Sequence, residues 1–343
     1  MFQFIKSDIN LDFIGKRKIA YVVSLVLILS SVAFLVINKG PRYGVDFSGG
    51  TVIHTKFDAP VNISDITKGL GTMNVVVGSV QTFGNEKDNE FLIRAEHFLN
   101  TDKEFSTKVE AALKQSTGKN VEIRGIEIVG PQVGQELREK ALFAIFYAML
   151  FIAIYISGRF EFKWLMSALI AGIMIGAVYL FSLLNIGMLG LTGIALLIAL
   201  GLFWVLKLKY AMGAIVALIH DVAITLGVFS ILGKEVSLIT IAALLTIIGY
   251  SLNDTIIVYD RIRENVRKNY KMSLGEIINR SINETLSRTI LTSGTTLIVV
   301  LSLLLLGGAT IHDFAFAMLV GIVVGTYSSI YVASPILLEW QDK

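Results

Sequence analysis

Eight stretches of this chain run apolar for about the length a helix needs to cross ~30 Å of hydrocarbon: 19–37, 141–157, 164–184, 188–206, 210–232, 236–259, 289–306 and 314–338. So many apolar runs cannot share one water-soluble core. A bilayer accepts them if each closes its backbone hydrogen bonds internally, as a helix does. The composition agrees, with 54% apolar residues and only 17% charged. The run at 141–157 is the shortest. The first run is too long for the apolar region of a secretory signal. No small-x-small cleavage pattern follows it before Lys39-Gly40-Pro41-Arg42, so it is expected to stay as an anchor.

The basic residues set the orientation. With the N-terminus inside, sixteen Lys and Arg fall on inner segments: Lys6, Lys16, Arg17, Lys18, Arg159, Lys163, Lys207, Lys209, seven from Arg261 to Arg288, and Lys343. The short outer loops hold only Lys234. Both termini are therefore expected in the cytosol. The net charge of +3 follows from this topology and marks no nucleic-acid surface. The chain has no Cys, and its four His show no ligand-like spacing, so no disulfide, metal or other cofactor is expected.

Between the first two runs the pattern changes. Thr51–Phe57, 74–81, Phe91–Ala95 and Val121–Val129 read as strands, 64–70 and 102–115 as helices, and 84–89 as a turn. The order βαββαβ over 51–130 is that of a ferredoxin-like, split βαβ module. His54 and His97 stand isolated in it and read as strand-face or surface residues. Two Gly-rich junctions flank the module, Gly44–Gly50 (GVDFSGG) and Val129–Gly134 (VGPQVG), and neither matches a phosphate loop. Gly44, Gly49, Gly50, Gly130 and Gly134 either permit turns and close backbone approach or form a hinge between domain and membrane.

Ionisable residues inside apolar runs cost about 2.5–3.5 kcal/mol on insertion scales, and so point to function. Asp221, beside His220, lies ~16 Å from the inner end of its run at the helical rise; Asp254, after Asn253, lies ~9 Å from the inner edge of its own. Arg288 opens the run that follows the basic segment. A carboxylate whose protonation depends on conformation can couple proton flow to movement, with a nearby Arg biasing the exchange. Asp254, Arg288 and Asp221 are thus candidates for a proton relay, with His220 and Asn253 as supporting polar groups. Plainer readings stay open. Asp254 can pair with Arg261, Arg288 can pair with Glu284 or snorkel, and Asp221 can serve to hold helices together. Successive helical residues do not face each other, so His220 and Asp221 are not expected to need one another.

GVDFSGG at 44–50, His220-Asp221, YSLNDTIIVYDRIREN at 250–265, SRTILTSG at 287–294 and GTYSSIYVASP at 325–335 together resemble the SecD/SecF family of bacterial protein-export proteins, on its SecF side. The resemblance covers both membrane portions and the outer domain. It implies a relative of the resistance-nodulation-division (RND) transporters in the bacterial cytoplasmic (inner) membrane. Such a protein works with a SecD-like subunit beside the SecYEG channel, using the proton-motive force to assist translocation of unfolded preproteins. By motif position, the family's proposed proton-coupling Asp and Arg fall on Asp254 and Arg288. Family members usually have six spans, whereas eight are expected here. The flanks RFEFKWLMSALIAG and LKLKYAMGAIVAL are alike, which fits an inserted or duplicated hairpin at 164–206 facing membrane lipids.

The expected fold is a polytopic α-helical membrane protein of about eight transmembrane helices, an RND-like bundle with an extra hairpin, carrying a periplasmic α+β ferredoxin-like domain. Its divisions are a cytosolic N-terminus (1–18), a first transmembrane helix (19–38), the periplasmic domain (39–138), a second transmembrane helix (139–163), the extra hairpin (164–206), and core helices (207–343) with a cytosolic loop at 260–288. A half-size RND-type small-molecule efflux protein is the alternative, although that class normally needs twice this membrane portion and two outer domains. An intramembrane aspartyl protease would show YD and GxGD motifs where this chain has HD and ND. No enzymatic activity is expected.

Overall fold

The computed structural model describes residues 10–73, 75–83, 88–96, 103–161, 188–269 and 271–340, with isolated positions between 164 and 176. Helix α1 (Arg17–Ile37) is followed by a short helix α2 (Val45–Ser48). Then come β1 (Gly50–Phe57), α3 (Ile63–Gly71), β2 (Val76–Phe83), β3 (Glu90–Glu96), α4 (Lys103–Thr117) and β4 (Val121–Val129). The four strands form one antiparallel sheet in the order β2-β3-β1-β4. Ile53, Phe57, Phe91 and Ile93 project to one face, where Ile66 and Leu70 of α3 and Phe105, Val109 and Leu113 of α4 cover them. The period of two sends Val52, His54, Leu92 and Arg94 to the helix-free face.

His54 is a strand-face residue but is not isolated. Its Nε2 meets Glu90 Oε2 at 2.9 Å, and its ring stands edge-on to Phe83. Lys56 and Arg124 reach the same carboxylate at 3.2 and 3.0 Å. Burial by itself would raise the Glu90 pKa. The hydrogen bonds from His54 and Lys56 and the charges of Arg124 and Lys56 outweigh it, and the carboxyl sits below its ordinary range. His97 and most of the turn expected at 84–89 lie outside the described residues.

The helical part continues with α5 (Pro131–Glu161), α6 (Met188–Val205), α7 (Lys209–Ile231), α8 (Leu238–Lys268), α9 (Leu274–Leu306) and α10 (Gly308–Ser328). A π-helical turn (Ser329–Ala333) then leads into α11 (Ser334–Glu339). Among the described residues six helices are long and apolar enough to cross a membrane: α1, α5, α7, α8, α9 and the stretch Thr310–Glu339. Leu196–Val205 of α6 adds a shorter apolar helix, and most of 164–184 lies outside the described residues.

Three sequence expectations need correction. The run at 141–157 is not short, because it belongs to a 31-residue helix that starts at Pro131. Proline fits a first helical turn, whose N–H has no intrahelical partner. The junction at 129–134 is therefore helical from Pro131 onward. Nor is 260–288 a loop: α8 runs on to Lys268, and α9 begins at Leu274. A capping box starts α9, with Ser273 Oγ accepting from Glu276 N while the Glu276 carboxylate accepts from Ser273 N at 2.8 Å. The π turn has a local cause in Pro335, which cannot donate to the carbonyl of Tyr331 and whose ring crowds it in a regular helix.

The bundle has two distinct ends. At one, Arg17 pairs with Glu339 at 2.9 Å, Arg159 with Asp260 at 2.6 Å, and Leu11 N donates to Asn283 Oδ1 at 2.9 Å. At the other, Asn38 Nδ2 donates to Ser230 O at 3.2 Å, and the α+β domain is attached. Helix α7 is the central post, packed by α1, α5, α8 and α10.

Candidate functional site

Two buried carboxylates lie inside the helical bundle. Asp221 sits midway along α7, where His220, Thr225, Gly227 and Asp221 itself are all buried. His220 and Asp221 are 2% and 0% exposed and have no route to water, so the two satisfy each other. His220 Nδ1 lies 2.9 Å from Asp221 Oδ1, contrary to the expectation that neighbours on a helix leave one another alone. The other oxygen, Oδ2, accepts from Ser251 Oγ on α8 at 2.6 Å and from Ser328 Oγ on α10 at 2.8 Å. Gly325 makes this approach possible, since a Cβ there would stand 2.9 Å from Ser251 Cβ.

On its far side, His220 Nε2 meets Ser24 Oγ of α1 at 3.1 Å; Ser24 Oγ meets Tyr327 Oη at 3.1 Å, and that hydroxyl donates to Ala20 O at 2.8 Å. The imidazole also stacks on the Tyr327 ring, with centroids 6.0 Å apart. Counting hydrogens constrains this chain. Tyr327 spends its proton on Ala20, so Ser24 must donate to Tyr327, and His220 Nε2 must then donate to Ser24. Every contact is filled only when His220 and Asp221 hold two protons between them. A carboxylate with a neutral imidazole holds one. The arrangement is therefore a pair that shares two protons when every contact is filled, and its hydrogen-bond chain ties α7, α8, α10 and α1 together.

Asp254 lies one turn beyond Ser251 on α8, and only 1% of it is exposed. Its Oδ2 accepts from Ser293 Oγ of α9 at 3.2 Å, and Ser293 Oγ in turn lies 2.8 Å from Thr326 Oγ1 of α10. Its Oδ1 has no protein partner, and nor does the buried Thr289 Oγ1 one turn before Ser293. Arg288 forms no ion pair with Asp254 within 4.0 Å. The plainer pairings are absent. Arg261 is engaged with Glu264 and Glu284, both at 2.7 Å, and Glu284 also takes Arg280 at 2.8 Å. Asn253 is exposed on the outer face of α8 and is not brought to either carboxylate.

The Gly-rich junctions pack on each other. Gly49 and Gly50 have φ of 76° and 136°, values that L side chains rarely adopt. A Cβ on Gly49 would stand 2.8 Å from Pro131 Cα, and one on Gly134 would stand 3.0 Å from Gly49 N. Close backbone approach thus accounts for Gly49, Gly50 and Gly134. Gly44 donates its N–H to Val236 O at 2.9 Å, and Gly130 O accepts from Gly134 N at 2.9 Å in the first turn of α5. Among the described residues no group of His, Asp and Glu is arranged to hold a metal ion.

Comparison with known proteins gives two family matches. Protein export membrane protein SecD/SecF, C-terminal, matches residues 108–202 and 174–343; the SecD/SecF GG Motif matches 34–61. The protein translocase subunit SecF of Calditerrivibrio nitroreducens is 42% identical over 336 residues, covering 97% of this chain and 94% of that one. The protein of the same name from Vibrio alginolyticus is 40% identical, covering 99% and 92%. The crystal structure of SecDF, a translocon-associated membrane protein from Thermus thermophilus, superposes with a TM-score of 0.75 at 32% identity, covering 99% of this chain. This chain spans 40% of that longer one.

Proposed function

The chain belongs to the SecF family of protein translocase subunits, multi-pass membrane proteins of transporter type. From that premise we propose that it works with a SecD-like partner beside the SecYEG channel of the bacterial cytoplasmic membrane. There it uses the proton-motive force to assist translocation of unfolded preproteins. In this reading both termini and the bundle end bearing Arg17, Asp260 and Glu339 face the cytosol, and the ferredoxin-like domain faces the periplasm. The basic asymmetry of the loops supports that orientation.

The eight-span arrangement with an extra hairpin at 164–206 is part of the same reading. Glu161, closing α5, accepts from Tyr210 N at 3.0 Å, and Trp204, closing α6, lies 4.6 Å from the Trp340 ring. Both ends of the intervening segment are thus at the cytosolic end, which suits a pair of crossings that goes out and returns.

One observation carries the mechanism. Asp254 is buried in the bundle with one oxygen held by a single serine and the other unpartnered. A permanently charged, purely structural carboxylate would be filled with donors on both oxygens. In this reading Asp254 exchanges a proton, with Arg288 of α9 as the charge that biases the exchange, while His220–Asp221 holds a second proton nearer the middle of the membrane. Asp254→Asn fixes neutrality while keeping size. It should leave expression and assembly intact and abolish the increment in precursor export that an imposed proton gradient gives in membrane vesicles. An Asp254→Asn protein that responds to the gradient as wild type does would make Asp254 structural.

A further inference from the structure

The segment GVDFSGG does more than connect α1 to the sheet. Its backbone runs beside the loop between α7 and α8: Val236 N donates to Arg42 O at 2.7 Å, and Gly44 N donates to Val236 O at 2.9 Å. Two residues on, Asp46 Oδ2 accepts from Leu238 N at 2.9 Å. Leu238 is the first residue of α8, whose N-cap Ser237 already accepts from Thr240 N. Asp46 thus supplies an acceptor to a second orphan donor of this helix end and sets a negative charge at its positive pole. The next residue, Phe47, is buried in the core of the helical bundle. From the opposite side Arg94 of β3 forms an ion pair with Glu235 of the same loop, and both side chains are largely buried. Beyond these contacts a cavity of about 500 Å³ separates the helix-free sheet face, at Val52, His54 and Arg94, from Ile239 and Asp313 below.

We propose that Asp46 and the Arg94–Glu235 pair form a two-point clamp that seats the extramembrane domain on the outer end of α8, making Asp46 a positioning residue for Asp254. The helix is the lever. Sixteen residues separate Leu238 from Asp254 on one continuous α-helix, so a displacement of its capped end is passed along the axis rather than absorbed in a loop. The cavity leaves the domain room to tilt about the clamp. Gly49 and Gly50 let the chain turn sharply from α2 into β1 while staying tight against Pro131. The inference rests on the proton-coupling reading of Asp254, and its test separates the two.

The chain contains no Cys, so a pair of introduced ones can carry spin labels without background: Lys119→Cys in the domain and Leu232→Cys beside the loop, both at exposed positions. The full chain is studied with its SecD-type partner in vesicles, with Asp254→Asn as reference. Asp46→Ala should broaden the label-to-label distance distribution and cut gradient-driven export by about five-fold, the scale of a lost helix cap. Asp46→Asn keeps an acceptor for Leu238 N–H and should stay within about two-fold of wild type. Glu235→Arg should behave like Asp46→Ala, and Arg94→Glu combined with Glu235→Arg should recover most of the loss, which a mere folding defect would not. An Asp46→Ala protein with wild-type distances and wild-type gradient response overturns the clamp, and so does a charge swap that fails to recover when Asp46→Ala does not fold. A full gradient response in Asp254→Asn sinks the coupling reading instead, and the label distances then decide the clamp by themselves.

Discussion

Replacement of Asp221 by Asn and by Ala should have unequal consequences for stability, and the hydrogen-bond count says by how much. Asp221 makes three side-chain contacts: it accepts from Ser251 Oγ and Ser328 Oγ and shares a proton with His220 Nδ1. In Asp221→Ala all three lose their partner inside the bundle. Orphaned buried donors cost about 1–3 kcal/mol each, and hydrogen bonds between membrane helices average nearer ~0.6 with a maximum of ~1.7. Taking ~1–1.5 each gives about 3–4.5 kcal/mol, some of it offset because a buried carboxyl group no longer has to be desolvated. The net expectation is a loss of about 2–4 kcal/mol. In Asp221→Asn the amide oxygen can accept from both serines. The amide N–H can donate to His220 Nδ1, which leaves Nε2–H to donate to Ser24 and on through Tyr327 to Ala20. Every contact survives with a neutral imidazole, so the cost should stay below about 1 kcal/mol. Equilibrium unfolding in mixed micelles, followed by circular dichroism, measures both. Asn also freezes the pair in its filled state, so the variant should fold well yet export poorly in response to a gradient. Equal destabilisation by Asn and Ala would refute the hydrogen count, and a wild-type gradient response in Asp221→Asn would remove the pair from the relay.

Two further substitutions probe packing and charge. Gly227→Ala should separate α1 from α7, because its Cβ would stand 2.7 Å from the Cα of Ser31. A loss of about 1–3 kcal/mol is expected in the same unfolding assay. Gly249→Ala, with nothing within 4 Å, is the control. Glu90 has its folded-state pKa below the unfolded value of about 4.3, so its stabilisation is full above that value and disappears as pH falls through the folded one. Glu90→Gln should therefore make the extramembrane domain easier to proteolyse at pH 7, with the difference from wild type vanishing in acid.

Six of the expected spans and the sheet were legible for different reasons. Hydrocarbon thickness is fixed, so an apolar run of the right length reports a crossing whatever surrounds it. The sheet declared itself by period two at Ile53, Thr55 and Phe57 and at Phe91, Ile93 and Ala95, one face of each strand being buried under α3 and α4. Helix ends were not legible by the same test, because apolarity stops at the membrane while the helix need not. The ends of α5, α8 and α9 are set by polar and conformational signals, Pro131 and the Ser273–Glu276 box among them. A hydropathy window does not weigh these.

The acidic half of the candidate site was visible, since an Asp in an apolar run is costly and rare. Its hydroxyl half was not. Thr225, Thr246 and Thr285 each donate to the carbonyl of the residue four before, which lets a hydroxyl sit in an apolar helix with no tertiary role. Nothing in the sequence separates these from Ser251, Ser293 and Ser328, whose hydroxyls are aimed across helix boundaries at the carboxylates. What separates them is which helix lies opposite, and that is a property of packing. The consequence reaches the mechanism. Ser251 and Asp254 share one stretch of α8, while Ser328 and Thr326 share one stretch of α10; Asp221 bonds both helices directly, and Asp254 of α8 reaches α10 through Ser293 of α9. The α10 residues that meet the two sites, Ser328 toward Asp221 of α7 and Thr326 toward Ser293 of α9, are two positions apart on one rigid helix. In the proposed mechanism a movement of α10 would thus bear on the surroundings of both carboxylates, although no hydrogen bond joins them directly.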